Sequence, residues 1–160
     1  MVFWDTSALV KAYTVEPGTP TVQAALQALV RRSSVTPFVA LETLTVLSKL
    51  LRSGTFSAAD YNRARLEFHR DYPRRFVRLG VRRHVRSHAL SLAEKHRKAG
   101  VGALDILHLA CALDVKARAH PRPAVFAVAD GPLRRIATLE GVRTFDPEAQ
   151  SVSDLMRALR

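Results

Sequence analysis

The chain has 160 residues, 48% of them apolar, which suits one domain with its own core and excludes a disordered protein. Lys and Arg number 25 against 14 Asp and Glu, a net charge of +11, so the expected partner is a polyanion. No apolar stretch reaches the roughly 18 residues of a membrane span, Asp5 and Lys11 interrupt what would be a signal-peptide core, and the single Cys111 excludes an internal disulfide or a Cys-based zinc finger; a cytoplasmic protein with no membrane contact is expected.

In chain order, Val2–Asp5 reads as a short buried strand, and Thr6 or Ser7 caps a helix from Ala8. Glu16-Pro17-Gly18 breaks the chain. A helix from Thr19 or Thr21 to about Arg32 carries Val22, Ala25, Leu26 and Leu29 on one face. Ser34–Thr36 is a second strand, and Pro37 starts a helix to about Arg52. Ser57 with Asp60 forms a capping box for a helix expected to stop before Pro73. Arg75–Leu79 is a third strand, followed by a helix over about Arg82–Lys98. Gly100 and Gly102 precede a helix opened by Asp105. After the His120–Pro123 turn come a strand at Val125–Ala129, a short helix at Pro132–Leu139, a last strand at Val142–Phe145 and a helix from Val152. Continuous apolar strands alternating with helices predict an α/β fold, a parallel sheet covered on both faces. With no repeat, low-complexity segment or long linker, residues 1–160 read as a single domain.

Four carboxylates stand where acids are least expected. Asp5 ends the apolar run Met1–Trp4, and Asp130 ends Ala124–Ala129. Acids at the ends of buried strands lie at one edge of a sheet, where α/β proteins place their chemistry. Each also has a structural explanation: both can be helix caps or turn residues. Asp105, in the first turn of its helix, is equally well explained by the helix dipole, although Leu109 and Ala112 on its side are apolar. Glu42 lies at the shoulder of an apolar arc next to Val46, where a solvated Glu near Lys49 is the plain reading. Crowded carboxylates repel unless a cation lies between them, and oxygen ligands favour Mg²⁺ or Mn²⁺ over zinc. A metal on a basic protein suggests a phosphodiester substrate.

His108, three residues after Asp105, can position a water or a phosphate, but reads first as a packed core histidine. Cys111, on an apolar helix face, reads as a packed thiol, and Asp146 as a turn or cap residue. Residues 61–98 hold twelve Lys or Arg and three acids, +9 of the total charge. Arg74, Arg75, Arg78, Arg82, Arg83 and Arg86 are candidates for a nucleic-acid backbone or for a solvated face. Arginine outnumbers lysine 20 to 5, a bias that a GC-rich coding sequence also produces.

Phe3-Trp4-Asp5-Thr6-Ser7-Ala8-Leu9-Val10-Lys11, with Tyr13 and Glu16-Pro17-Gly18, resembles the N-terminal motif of PIN-domain nucleases, above all PIN toxins of the VapC type. Asp105-Ile106-Leu107-His108-Leu109-Ala110 resembles the family's third motif. Glu42 matches the second acid, and Val125–Asp130 with Leu133 matches the fourth acidic position. The resemblance spans about residues 2–145. It implies a PIN-like three-layer fold and a metal-dependent endoribonuclease whose catalytic acids are Asp5, Glu42, Asp105 and Asp130. Asp5, Asp105 and Asp130 would hold Mg²⁺ or Mn²⁺. It also implies RNA as substrate, a small antitoxin as partner, and a homodimer. One departure stands out: many members carry Ser or Thr two residues before the fourth acid, where this chain has Val128.

Two other classes compete. A haloacid-dehalogenase-type phosphoryl transferase would use Asp5 as nucleophile with a second Asp two residues later; here that residue is Ser7. A non-catalytic RNA- or partner-binding module would bind RNA without metal-dependent cleavage.

Overall fold

The computed structural model describes residues 1–160. Its centre is a five-stranded sheet of β1 (Val2–Trp4), β2 (Ser33–Val35), β3 (Phe76–Arg78), β4 (Val125–Ala127) and β5 (Thr144–Phe145), in the order β3-β2-β1-β4-β5. Every pairing is parallel, as the continuous apolar strands predicted.

Alternation along the strands divides the core in two. Val2, Trp4, Val35, Phe76, Val125 and Ala127 face one layer. This layer is built on α1 (Thr6–Leu9), a 3-10 turn at Val10–Ala12, α2 (Thr19–Ala28), α3 (Phe38–Arg52), α4 (Ala58–Arg75) and α8 (Val152–Ala158). Phe3, Phe126 and Val128 face the other, built on α5 (Arg83–Lys95), α6 (Ala103–Ala119) and α7 (Gly131–Leu139). The three-layer expectation holds. None of the helices is long and apolar enough to cross a membrane.

Most polar groups inside this core are paired, the Tyr13 and Thr43 hydroxyls being the exceptions. Trp4 Nε1 donates to Ser33 Oγ at 3.0 Å, and Ser34 Oγ donates to the Val2 carbonyl at 3.1 Å. Lys11 is buried, with its ammonium 2.8 Å from Glu16 and 2.6 Å from Glu148. It thereby fastens the loop before α2 to the segment before α8. Gly18 closes the predicted Glu16-Pro17-Gly18 break with φ +89°, and an added Cβ would stand 3.1 Å from the Pro147 backbone. Only glycine combines that dihedral with that approach.

Three boundaries differ from expectation for identifiable reasons. The first helix starts at Thr6, because Asp5 is itself the N-cap and accepts from the Ser7 N–H. The α6 helix begins at Ala103, which makes Asp105 its third residue. The α4 helix runs through Pro73 to Arg75. Pro73 removes only the bond to the His69 carbonyl, and both residues are exposed, so water replaces it. Meanwhile the buried Phe68 packs against Tyr13 and Tyr72, each ring centroid 5.4 Å away, and Asp71 pairs with Arg75 at 3.3 Å. The predicted Ser57–Asp60 capping box is present.

Docking of α4 through Phe68 gives a measurable expectation. Phe68→Ala should cost about 3–5 kcal/mol in urea unfolding; a loss below about 1 kcal/mol would show that this aromatic cluster does not anchor the helix.

Candidate active site

Parallel strands bring the ends of β1 and β4 to the same edge of the sheet. The chain crosses to opposite sides of β1, with β2 on one flank and β4 on the other, which makes their carboxyl ends the topological switch point where such sheets bind ligands. Asp5 follows β1 and its N–H donates to the Ala127 carbonyl of β4 at 2.9 Å. Asp130 lies three residues beyond β4. The two strand-end acids therefore meet at one crevice.

Asp5 is the most enclosed of them, with 3% of its surface exposed. Its Oδ2 accepts from the Ser7 N–H at 2.8 Å and from the Ser7 hydroxyl. Its Oδ1 accepts from His108 Nδ1 at 2.7 Å. Burial alone would push this carboxyl up, but the His108 hydrogen bond and charge and the two Ser7 bonds hold it below the usual range. His108 is fully buried on α6. Burial opposes its charge, yet the bond to Asp5 and the charges of Asp5, Glu42 and Asp105 push it above an ordinary histidine. The two form a buried hydrogen-bonded pair, an ion pair whenever His108 is protonated.

The far side of His108 continues the network. Nε2 lies 3.1 Å from Thr36 Oγ1, just beyond β2, and 3.4 Å from Glu42 Oε2 on α3. The same Glu42 oxygen accepts from Thr6 Oγ1 at 2.6 Å. Glu42 thus faces the crevice, correcting the plain reading of a solvated residue beside Lys49. A helical wheel shows the arc a residue occupies but not what packs against its edge.

Asp105 caps its own helix, accepting from the Gly102 N–H at 2.8 Å. Its carboxyl is raised above the ordinary value, first by burial and then by the charges of Asp5 and Asp130, against the lowering effect of Gly102. Asp130 caps α7, with Oδ1 accepting from the Leu133 N–H at 2.7 Å. Ser7 Oγ accepts from the N–H groups of Ala129 and Asp130 at 3.0 and 3.1 Å. The cap and site readings of these acids are therefore compatible, since one carboxylate oxygen caps and the other remains.

The expected donor set has a mixed fit to a cation. No group of three or more His, Cys, Asp or Glu side chains stands in metal-ligand geometry. The chemistry nevertheless suits a hard ion: three carboxylates share a crevice, and two of them weaken the acidity of the third. Oxygen atoms on Asp105 and Asp130 remain without a protein donor.

The PIN domain family matches residues 2–137. The chain belongs to the PIN domain family. Members are generally metal-dependent nucleases. Among curated proteins none matches this chain in sequence. Solved structures with the same fold include FitAB bound to an IR36 DNA fragment, at 18% identity and TM-score 0.61, covering 94% of this chain and 98% of that one. FitAcB from Neisseria gonorrhoeae matches at 18% identity and TM-score 0.58, covering 94% and 100%. VapBC-1 from nontypeable Haemophilus influenzae matches at 14% and 0.57, covering 92% and 98%.

Within this PIN domain, sequence reasoning placed Thr6 and Ser7 beside Asp5 as helix caps, but missed Thr36. A threonine at a strand end carries no signal until the fold sets it against His108. Cys111 is buried, and burial, with Asp114 nearby, pushes its thiol up to about 12; it is packed, as expected.

The repulsion around Asp105 makes a prediction independent of turnover. A carboxyl raised in the folded state destabilises the fold above its unfolded pKa, so Asp105→Asn, which keeps an acceptor for Gly102, should raise the melting temperature in chelator. Mg²⁺ or Mn²⁺ at a hundredfold excess over its dissociation constant should raise that of the unaltered protein by about 5–10 °C and that of Asp105→Asn much less. Equal shifts in both proteins would remove Asp105 from the cation site.

Proposed function

We propose that this chain is a single-domain, metal-dependent endoribonuclease and the toxin of a toxin–antitoxin pair, acting on cytoplasmic RNA. The observation that carries this reading is the convergence of Asp5, Asp105 and Asp130 at the β1–β4 crevice, where the acidity of Asp105 is weakened by the other two. A basic protein with excess negative charge confined to one crevice suits a cation bridging it to a phosphodiester. Asp5, Asp105 and Asp130 would hold Mg²⁺ or Mn²⁺. When bound, the ion supplies an activated water and offsets charge on the phosphoryl oxygens.

The chain's own residues do the rest. His108 and Ser7 keep Asp5 ionised and fix its rotamer. Glu42, anchored by Thr6, completes the acidic pocket and orients water. Arg82 and Arg83 are exposed where α5 begins, beyond the carboxyl end of β3 and on the same edge as the acids. They would hold the RNA backbone. Of the other candidates, Arg75 is paired with Asp71, and Arg78 lies over the Tyr72 ring at 5.9 Å. The motif resemblance to VapC-type toxins and the fold shared with FitAB and VapBC-1 support a small protein antitoxin; a homodimer follows from the motif resemblance alone.

A second reading has one observation in its favour: the acids do not stand in metal-ligand geometry. A PIN-like module that binds RNA or a partner without cutting would tolerate that. Incubating purified protein with total tRNA in Mg²⁺, Mn²⁺ or chelator separates the two. Discrete, metal-dependent products are expected, and Asp5→Asn should cut at least about 10³-fold more slowly, equivalent to about 4 kcal/mol, while still binding RNA. Cleavage unchanged in Asp5→Asn would sink the assignment; intact RNA across a wider substrate panel would establish the binding module.

A further inference from the structure

The edge of the sheet opposite the acids carries its own charge pattern. Just before β2 stand Arg31 and Arg32, before β4 stands Arg122, and before β5 stands Arg143. In a parallel sheet these positions share one edge. Arg31, Arg32, Arg118, Arg122 and Arg160 line a groove of about 940 Å³ with His120, and no Asp or Glu lines it. Its floor includes Pro121, Pro123, Ala119 and Leu159, low-dielectric walls that strengthen the field above them.

These guanidinium groups are largely uncommitted. Arg118 pairs with Asp114 at 2.6 Å. The side chains of Arg31, Arg32, Arg122 and Arg160 have no hydrogen-bond or ion-pair partner within the protein. Arg31 is also the one non-glycine residue with positive φ, at 61°, a conformation a long side chain rarely adopts. The Met1 amine at the groove donates to the Pro123 carbonyl at 2.9 Å and loses proton affinity, first through burial and then through Arg32.

The groove does not end at Arg122. A smaller hollow of about 190 Å³ shares His120, Arg122 and Pro123 with it and continues to Lys116 and Arg143. Along this path Arg118 is held by Asp114, Lys116 by the Gly141 carbonyl and Arg143 by the Ala158 carbonyl, and the guanidinium groups left free between them fit a chain of phosphates rather than a single one.

We propose that this amino-edge groove is a second RNA-binding site, holding backbone phosphates away from the acid crevice. Bound RNA would then contact both edges of the sheet, with the arginine edge contributing affinity and register rather than chemistry. The proposal deepens the ribonuclease reading, and its test is arranged to fail separately from it.

The test uses the full chain carrying Asp5→Asn, so that RNA survives, and follows binding of a labelled RNA hairpin with single-stranded flanks by fluorescence anisotropy across salt concentrations. Arg31→Asn, Arg32→Gln and Arg122→Gln are combined; Asn tolerates the positive φ at position 31. The expected result is at least tenfold weaker binding and a salt dependence shallower by about 2 in log–log slope, since each phosphate contact to a single strand accounts for about 0.7. Photocrosslinking of 4-thiouridine RNA to the parent chain gives a readout that does not depend on the variant folding: labelled peptides should contain residues 31–32 and 118–124. Unchanged affinity and slope in a folded variant, or crosslinks confined to the acid edge, would overturn the proposal. So would inorganic pyrophosphate that binds this groove without competing with RNA, which would make it a small-anion site. Loss of RNA affinity in the triple variant with no cleavage by the unaltered chain would uphold the groove while the nuclease reading fails; cleavage with unchanged affinity would do the reverse.

Discussion

Keeping a charged carboxylate at the centre of the fold is the constraint on which the rest depends. Asp5 is 3% exposed, and an unpaired ion there would be costly. The chain answers with polar partners from the neighbouring helix turn and from distant segments. Ser7 comes from the first turn of α1, His108 from α6, and Thr36 and Glu42 hold the other nitrogen of the imidazole from the end of β2 and from α3. These donors and the Glu42 acceptor form one network, so Asp5 links both layers of the sandwich to the central strand. Removing one member leaves a buried polar group unsatisfied, which is why the same residues serve stability and the geometry of the crevice at once.

Parallel topology then sorts the charge. Every strand points the same way, so residues that precede strands gather at one edge and residues that follow them gather at the other. Asp5 and Asp130 follow β1 and β4; Arg32, Arg122 and Arg143 precede β2, β4 and β5. The +11 charge is therefore not a uniform coat. Acids with a half-buried Asp105 among them occupy one edge, and uncommitted guanidinium groups occupy the opposite one. With strands of three residues, about 10 Å long, one extended polyanion can reach both edges.

This sorting also explains what could be read in the sequence. Fold class, strand positions and the strand-end acids were legible because they rest on local patterns, namely apolar runs, capping residues and breaks. Glu42 was legible only through motif resemblance, since its partner Thr6 lies 36 positions away in the chain. His108 looked like a core histidine and is one, fully buried; nothing local shows that the group beside it is Asp5. Pro73 misled because a proline normally ends a helix, whereas here the missing N–H faces solvent and the aromatic cluster around Phe68 holds the last turn. The arginine edge was hidden because its members are scattered over more than a hundred residues, while the denser run at 61–98 drew the eye. Part of that run is spoken for, with Arg63, Arg70, Arg75 and Lys95 paired to acids.

At the departure at position 128 the same network brings in a hydroxyl from elsewhere in the chain. Family members with a hydroxyl two residues before the fourth acid have a polar group in that turn, and Val128 removes it. Val128 is fully buried in the layer that contains Phe126 and Leu133, so an unpartnered hydroxyl there would face apolar neighbours. The turn still needs its N–H groups satisfied, and Ser7 supplies the acceptor for both Ala129 and Asp130 while donating its own proton to Asp5. One hydroxyl thereby ties the first acid to the fourth. The position of Asp130 is set from the β1 side of the crevice rather than from its own strand. Ser7 and Val128 should therefore be understood as one unit.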